Sequence, residues 1–503
     1  MTRLIGRICG GGKTPTVNTL LNFPVSLNGR PARLDSLLRL KDSLPQIVKA
    51  FGAGGMAMAG HEFVPDVVFG LSPLWLSTLL LALVYAAIMA EKINRAIVAL
   101  LAIGIVIFSG LLTQDEATKG IDINTLGLLA GMMILVSIAR RSGMFQYVAI
   151  RAAKLANANP AGILLLLSVA TAVLSALLDN VTTVLLVVPV TLVIAKDLDV
   201  PPYPFLFAEV MASNIGGTAT LIGDPPNILI GSLANLSFND FVWHLTPVIV
   251  VVMAAQALMT HLVWGRALRS SPLHRAAVMA MVESEAILDW TLLKQASVVL
   301  TLVMLGFIFA RPLGQQPCTI AMFGAAVLML LDNWSHHSEK QAQNVHSTFS
   351  DVEWITLFFF AGLFVVVHAV EVGGLLQWLA QKLADWSGGS LAKAGYAILW
   401  ASAILSAIVD NIPFVATMIP LIKNLAPAYG GADHIQPLWW CLSLGACLGG
   451  NGTLIGASAN LTVAGLAERQ GIPFSFLTYT KFAFPMMLVS LAISHVYVWL
   501  RYF

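Results

Sequence analysis

GGTATLIGDPPNILIG, Gly216 to Gly231, interrupts a long apolar run with four glycines, two prolines, an aspartate and an asparagine. Each of these residues either disfavours a helix or resists leaving water. Lipid offers no hydrogen-bond partners, so non-helical backbone inside a bilayer must line a cavity or pack against protein. The spacing predicts two half-helices over Phe205–Ala234, interrupted at Gly216-Gly217 and meeting in mid-membrane.

Composition supplies the membrane. Of 503 residues, 57% are hydrophobic and 11% charged. A soluble domain needs about 25% charged residues to cover its surface. Mean hydropathy is +0.81, so the chain reads as an all-α polytopic membrane protein. A net charge of +2 gives no support to a nucleic-acid partner. Cys9, Cys318, Cys441 and Cys447 form no CxxC pair, so neither a disulfide framework, a metal site nor a cofactor is expected.

Residues 1–72 read as a basic tail, mobile or interfacial. Eight Lys/Arg precede Ala50, against Asp35 and Asp42. ICGGGKT, Ile8 to Thr14, departs from a phosphate-binding loop because Arg7 stands where that motif needs glycine.

Apolar runs in the first half are Leu74–Ala90, Ala96–Leu112, Thr125–Ala139, Ile163–Ala195, Phe205–Ala234 and Phe241–Trp264. Met144–Ala158 is amphipathic and suits a membrane surface. The second half repeats the order: Trp290–Ala310, Ile320–Leu331, Ile355–Val370, a surface piece near Leu375–Trp386, Ala394–Ala426, Leu438–Leu466 and Phe482–Leu500. SALLDNVTTVLLVVP (Ser175 to Pro189) matches SAIVDNIPFVATMIP (Ser406 to Pro420) at six of fifteen positions. GGTATLIGDPPN matches GGNGTLIGASAN (Gly449 to Asn460) at seven of twelve. The offsets are 231 and 233, and Thr125 and Gly143 match Thr356 and Gly374 at 231. This is a duplication, with residues 73–265 as one membrane repeat, 266–289 as a cytoplasmic linker and 290–503 as the second repeat.

Arg140, Arg141, Arg151 and Lys154 in one loop, and Arg266, Arg269 and Arg275 in another, place both loops in the cytoplasm. The three runs between them satisfy this if Ile163–Ala195 is a re-entrant hairpin. Its counterpart Ala394–Ala426 then enters from outside. The expected fold is two inverted repeats, each with one re-entrant hairpin and one broken helix, arranged as a transport domain plus scaffold. This count puts the basic tail outside, unless an extra span lies near 46–60.

Four interruptions thus meet in mid-membrane, where half-helix ends expose unpaired N–H and C=O groups. Such a centre suits a small polar solute or an ion in a secondary transporter. Asp179, Asp224 and Asp410 are the expected ion- or proton-coupling groups, since an intramembrane carboxylate is costly unless it has a function or a partner. The alternative is a cap on a half-helix N-terminus, and it weighs most at Asp224, whose counterpart is Ala457. Candidate solute-binding residues are Asn180, Thr182, Asn214, Gly216, Gly217, Thr218, Thr220, Asn227, Asn411, Asn451, Thr453 and Asn460. Glu209 is expected nearer an interface. Gly131 and Gly362 are expected at helix contacts.

LLDNVTTVLLVVPV (Leu177 to Val190), ASNIGGTATLIGDPPNILIG (Ala212 to Gly231), VDNIPFVATMIP (Val409 to Pro420) and GACLGGNGTLIGASAN (Gly445 to Asn460) carry a family resemblance. They resemble the ion transporter superfamily, in its branch of ArsB-type arsenite/antimonite efflux permeases and P-protein relatives. The likeness runs from about Leu74 to the C-terminus. It implies a multi-pass protein of the cell membrane, with lipids, a second copy of the chain and a cytoplasmic ATPase subunit as candidate partners. The dicarboxylate branch carries Ser-Asn-Thr at its hairpin tips. Asp-Asn stands here instead, which disfavours a dianion. The expected activity is proton-coupled efflux of a neutral metalloid trihydroxide, with sodium/proton antiport or transport of another small anion as alternatives. No enzyme activity is expected: the GxGD motif of an intramembrane aspartyl protease would need glycine at position 221, which is leucine.

Overall fold

The computed structural model describes residues 65–90, 92–334 and 336–503. The tail through residue 64, its glycine-rich stretch and the question of a span near 46–60 lie outside the described residues. Among these residues there is no strand.

The first half comprises α1 (Pro73–Met89), α2 (Arg95–Phe108), the short α3 (Gln114–Gly120), α4 (Ile123–Arg140), the amphipathic α5 (Met144–Leu155), the hairpin arms α6 (Pro160–Leu177) and α7 (Asn180–Asp197), the half-helices α8 (Tyr203–Thr218) and α9 (Pro225–Leu233), and α10 (Phe238–Thr260). A linker helix, α11 (Pro272–Ala280), follows. The second half repeats the order as α12 (Trp290–Ile308), α13 (Pro317–Asn333), α14 (Ser338–Ser350), α15 (Trp354–Val372), α16 (Leu375–Ser387), α17 (Leu391–Ile408), α18 (Asn411–Leu425), α19 (Gln436–Gly449), α20 (Ser458–Arg469) and α21 (Phe476–Tyr502). Eight of these helices are long and apolar enough to cross a membrane. The outward faces of the scaffold carry exposed leucine and phenylalanine, as at Leu302 and Phe323, which suits lipid as solvent.

The inversion is visible in two contacts. Asp351, just ahead of α15, pairs with Arg140 at the end of α4. His368, near the end of α15, lies beside Glu116 of α3, just ahead of α4. Thus α4 and α15 are repeat equivalents that run in opposite directions. Their starts are built alike: Thr125 donates to Asp122 and Thr356 donates to Glu353. Gly143 and Gly374 open α5 and α16 with φ of 83° and 87°, a backbone conformation that favours glycine.

The hairpins enter from opposite faces. The outer ends of α6 and α7 lie on the Arg140 face, where Arg275 donates to the Asn157 carbonyl and Ser270 to that of Leu198. Arg151 and Lys154 of α5 pair there with Glu283 of the linker. The two basic loops therefore share a face. The α17–α18 hairpin is anchored on the opposite, Lys119 face, through Ser387 and Tyr429.

The halves interleave. α4 packs on α13 and α15 packs on α2. A Cβ on Gly131 would stand 2.9 Å from the Ala321 backbone, and one on Gly362 would stand 2.8 Å from that of Ala99. These are the helix contacts expected of those glycines.

One expectation needs correction. Gly216 and Gly217 do not interrupt the helix; α8 runs through them to Thr218, and the break spans 219–224. The glycines act by smallness: Gly216 lies against the Ala172 backbone and Gly217 against the Gly223 carbonyl. Pro225 and Pro226 start the returning half-helix, which prevents continuation. In the second half α19 ends at Gly449 and α20 starts at Ser458, so the whole of 450–457 is non-helical.

Candidate transport site

The breaks are held by side chains that restore lost backbone hydrogen bonds. Asn227 Nδ2 donates to the carbonyls of Thr218 and Thr220, at 3.1 and 2.9 Å. Its counterpart Asn460 donates to those of Gly450 and Thr453, at 2.8 and 2.9 Å. These amides supply partners that lipid cannot. Thr220 and Thr453 donate to the Ala176 and Ala407 carbonyls of their hairpins. Ser175 and Ser406 donate back to Ser213 and Ala446. Each hairpin is thereby tied to its own broken helix.

An amide chain joins the two units. Asn214 Nδ2 donates to Asn451 Oδ1 at 2.9 Å and to Asn460 Oδ1 at 2.8 Å. Its own Oδ1 accepts from Asn180 Nδ2 at 3.0 Å. Asn180 Nδ2 also reaches Asp224 Oδ1 at 3.1 Å. In return Ser443 donates to Asn227 Oδ1 at 2.6 Å, with the Cys447 thiol 3.6 Å from the same oxygen.

Asp179 and Asp410 cap α7 and α18, accepting from the backbone of Thr182 at 2.8 Å and Ile412 at 3.2 Å. Both therefore fill the capping role while standing at hairpin tips. Asp224 stands at the cap position of α9 without capping it. It is buried, and its Oδ2 has no partner; neither has Asn180 Oδ1.

These groups enclose a small cavity of about 20 Å³, with Asp179, Asn180, Asp224 and Asn411 among its walls. That volume holds about one water-sized solute. Arg95, Glu353, Thr356 and Ser458 complete its polar lining. Arg95, Glu353 and Ser458 also line a wider vestibule of about 340 Å³, which reaches Asp410 and the α1–α2 turn. A second vestibule of about 250 Å³ lies on the Lys119 face, around Asn124, Ser232 and Arg311, with Leu128, Leu221 and Ile228 in its wall. It shares no lining residue with the central cavity.

Of the residues expected to bind solute, Asn180 and Asn411 line the cavity. Thr182 follows at the hairpin tip. Asn214, Asn227, Asn451 and Asn460 build the amide framework behind it. Gly216 and Gly217 serve close packing, and the Thr218 hydroxyl turns back to the Asn214 carbonyl. Thr220 and Thr453 are spent on the hairpin ties.

Glu209 is not near an interface. It is buried, as is every residue of α8 from Pro204 to Thr218, because α6, α7, α10 and α19 all pack on that helix. Its Oε1 accepts from the Thr191 hydroxyl, and its Oε2 has no partner.

Arg95 was not among the sequence candidates. It follows Lys92 and the cap residue Asn94, and so reads as an ordinary loop charge. Its guanidinium donates to Asp410 Oδ2 at 3.2 Å, Ser458 Oγ at 2.8 Å and Thr356 Oγ1 at 3.1 Å. The one available signal was the match of Thr356 to Thr125, which marks the start of α15 as a repeat position.

Comparison with known proteins agrees with this architecture. A family model described as "Citrate transporter" (CitMHS) matches residues 85–445. An uncharacterized transporter of Mycobacterium tuberculosis is 44% identical over 423 residues, 83% of this chain and 96% of that one. The P protein of Sus scrofa is 33% identical over 504 residues, 84% of this chain and 59% of that one. Among solved structures, the YdaH transporter of Alcanivorax borkumensis shares the fold, with a TM-score of 0.54 at 16% identity over 85% of this chain and 98% of that one. This chain is a multi-pass membrane transporter, not an enzyme, and it belongs to the CitMHS citrate transporter family, with P-protein relatives.

Proposed function

We propose that the chain is a secondary active transporter whose central cavity accepts a small solute offering hydrogens or positive charge. The proposed cargo is arsenite or antimonite as a neutral trihydroxide, exported in exchange for protons, for which a cavity of about 20 Å³ has to widen on loading. The observation that carries this reading is the pair of unpartnered acceptors, Asn180 Oδ1 and Asp224 Oδ2, in a cavity of about 20 Å³. A buried acceptor without a donor is costly. A hydroxyl or a proton satisfies it, whereas a carboxylate oxygen does not. Free citrate, the cargo named in the family description, would bring three carboxylates to acceptor oxygens and need a masking cation. Asp179 and Asp224 are the proposed proton carriers, since Asp410 already has a cationic partner in Arg95. The cavity shares walls with the vestibule on the basic face, taken as cytoplasmic by the positive-inside rule, which suits loading for export.

A second reading rests on the same atoms. The carboxylate and amide oxygens of Asp179, Asp224 and Asn180 in the cavity wall suit a hard cation, so sodium/proton antiport is the alternative.

Purified protein in vesicles with an imposed pH gradient tests both. Arsenite, antimonite, sodium, and citrate with and without Mg²⁺ are offered separately. Metalloid flux with proton counterflow is expected, falling at least tenfold in D179N and D224N. Sodium-driven proton movement that arsenite does not alter selects the antiporter. Unchanged flux in the D179N/D224N double variant rejects both.

A further inference from the structure

We propose that Arg95 is a built-in counter-ion, held on the scaffold, that occupies the hairpin-tip carboxylate of the second half. Of the two tip aspartates, only Asp179 is then free to exchange an ion. The inference deepens the proposed function, and rests on its reading that these carboxylates couple ions.

The contact is a constructed one. Asn94 caps α2 by accepting from Ala96 N at 2.9 Å, which fixes the turn that presents Arg95. The guanidinium then reaches Asp410, Ser458 and Thr356 together. Ser458 Oγ also donates to Asp410 Oδ2 at 3.2 Å. The cation lies over the Phe359 ring, 5.2 Å from its centroid. Exposed ion pairs contribute little, but the Asp410 side chain is only 15% exposed and Arg95 26%. A planar guanidinium with three aligned acceptors and an aromatic face is well suited to a fixed pair.

The first half lacks this device. Gly131 meets Ala321 of α13 as Gly362 meets Ala99 of α2. That correspondence places Pro317 where α2 has Arg95. Among the described residues, no Lys, Arg or His forms an ion pair with Asp179. The charged groups around the two tips are Arg95 and Glu353 from the scaffold and Asp224 from the first broken helix. One half therefore offers two carboxylates without a cation, while the other offers a carboxylate already neutralised.

The experiment compares full-length wild type with R95Q, R95K and R95Q/D410N by two measurements. The first is the shift of the unfolding midpoint with Na⁺ concentration and with pH, which needs no known cargo. R95Q is expected to gain a cation response that R95K lacks and that R95Q/D410N loses again. The second is the reversal potential in vesicles, where R95Q should move one more elementary charge per solute than wild type and the double variant should return to the wild-type value. A cation response and charge ratio in R95Q equal to wild type would overturn the proposal, as would a gain that persists in the double variant. If R95Q does not fold, recovery of folding in R95Q/D410N supports the pairing, while failure of both makes Arg95 a structural prop and sinks it. If wild type moves none of the tested solutes, the functional reading fails, and the midpoint measurement still decides on Arg95.

Discussion

In the first half, the residue ahead of the returning half-helix is Asp224, and in the second it is Ala457. Asn214 of α8 likewise has Cys447 of α19 as its counterpart, and Pro317 stands where the other half has Arg95. The backbone ties do not differ: Asn227 and Asn460, Thr220 and Thr453, and Ser175 and Ser406 make the same bonds. Duplication has preserved the ties that hold the chain open inside lipid, and divergence has acted on the charges at the cavity and on one amide behind it. On the proposed function, ion chemistry then sits on one side of the pseudo-two-fold axis. The hairpin ties are recognised by their sameness, and the charged groups at the cavity by their asymmetry.

The largest expected effect comes from erasing that asymmetry. D224A makes the first half copy the second, and should abolish ion-coupled flux in the vesicle assay while the protein still folds. Flux near the wild-type level would mean that the unpartnered carboxylate does not work in transport. N214C copies Cys447 and strips the donor from two buried oxygens, Asn451 Oδ1 and Asn460 Oδ1. Each orphaned acceptor costs about 1–3 kcal/mol, so denaturant unfolding should show a clear loss of stability. A loss smaller than that of a surface substitution would contradict the amide chain.

Smaller effects probe the shared framework. T453V should cost about 1 kcal/mol, the net value of one hydrogen bond. T220V should cost about twice that, because the Thr220 hydroxyl also accepts from Gly223 N. Equal losses would show that the Gly223 bond adds nothing to the first half's frame.

The smallest expected effect lies on the surface. Helix α5 is held to the linker by charge, and α16 to its hairpin by the neutral Ser387–Tyr429 bond. The hydrogen bond from Lys154, aided by Arg151, holds the Glu283 carboxyl down at about 2. Since the folded value is depressed, the contribution is fully present above the ordinary value of 4.5 and is lost as pH falls toward about 2. The difference in melting temperature between wild type and E283Q should therefore be constant from pH 7 to about 5 and shrink below it. A gap that does not narrow in acid would mean that Glu283 acts through packing.

Much of this was legible in the chain itself. Asp179-Asn180 and Asp410-Asn411 announce hairpin tips because a carboxylate and an amide side by side in apolar text have few other places to be. The common offset announces duplication because it is carried by polar identities. The position of the break was less legible. Gly216-Gly217 looks like a helix breaker, yet a buried glycine pair also lets helices touch, and only the neighbouring Ala172 backbone decides between the two. Glu209 misled for a similar reason, since its burial comes from four other helices, one of them in the opposite half. Arg95 lay beyond local pattern altogether: its partner Asp410 is 315 residues away, and periodicity carries no information about such a contact.

The interleaving of α4 with α13 and of α2 with α15 bears on how the protein is made. A ribosome delivers the halves in order, so the glycine-lined groove of α4 waits unfilled until α13 has entered the bilayer. A nascent chain arrested at the linker would show that groove to lipid and to membrane quality control. Packing of the first half is therefore complete only when the second has been inserted.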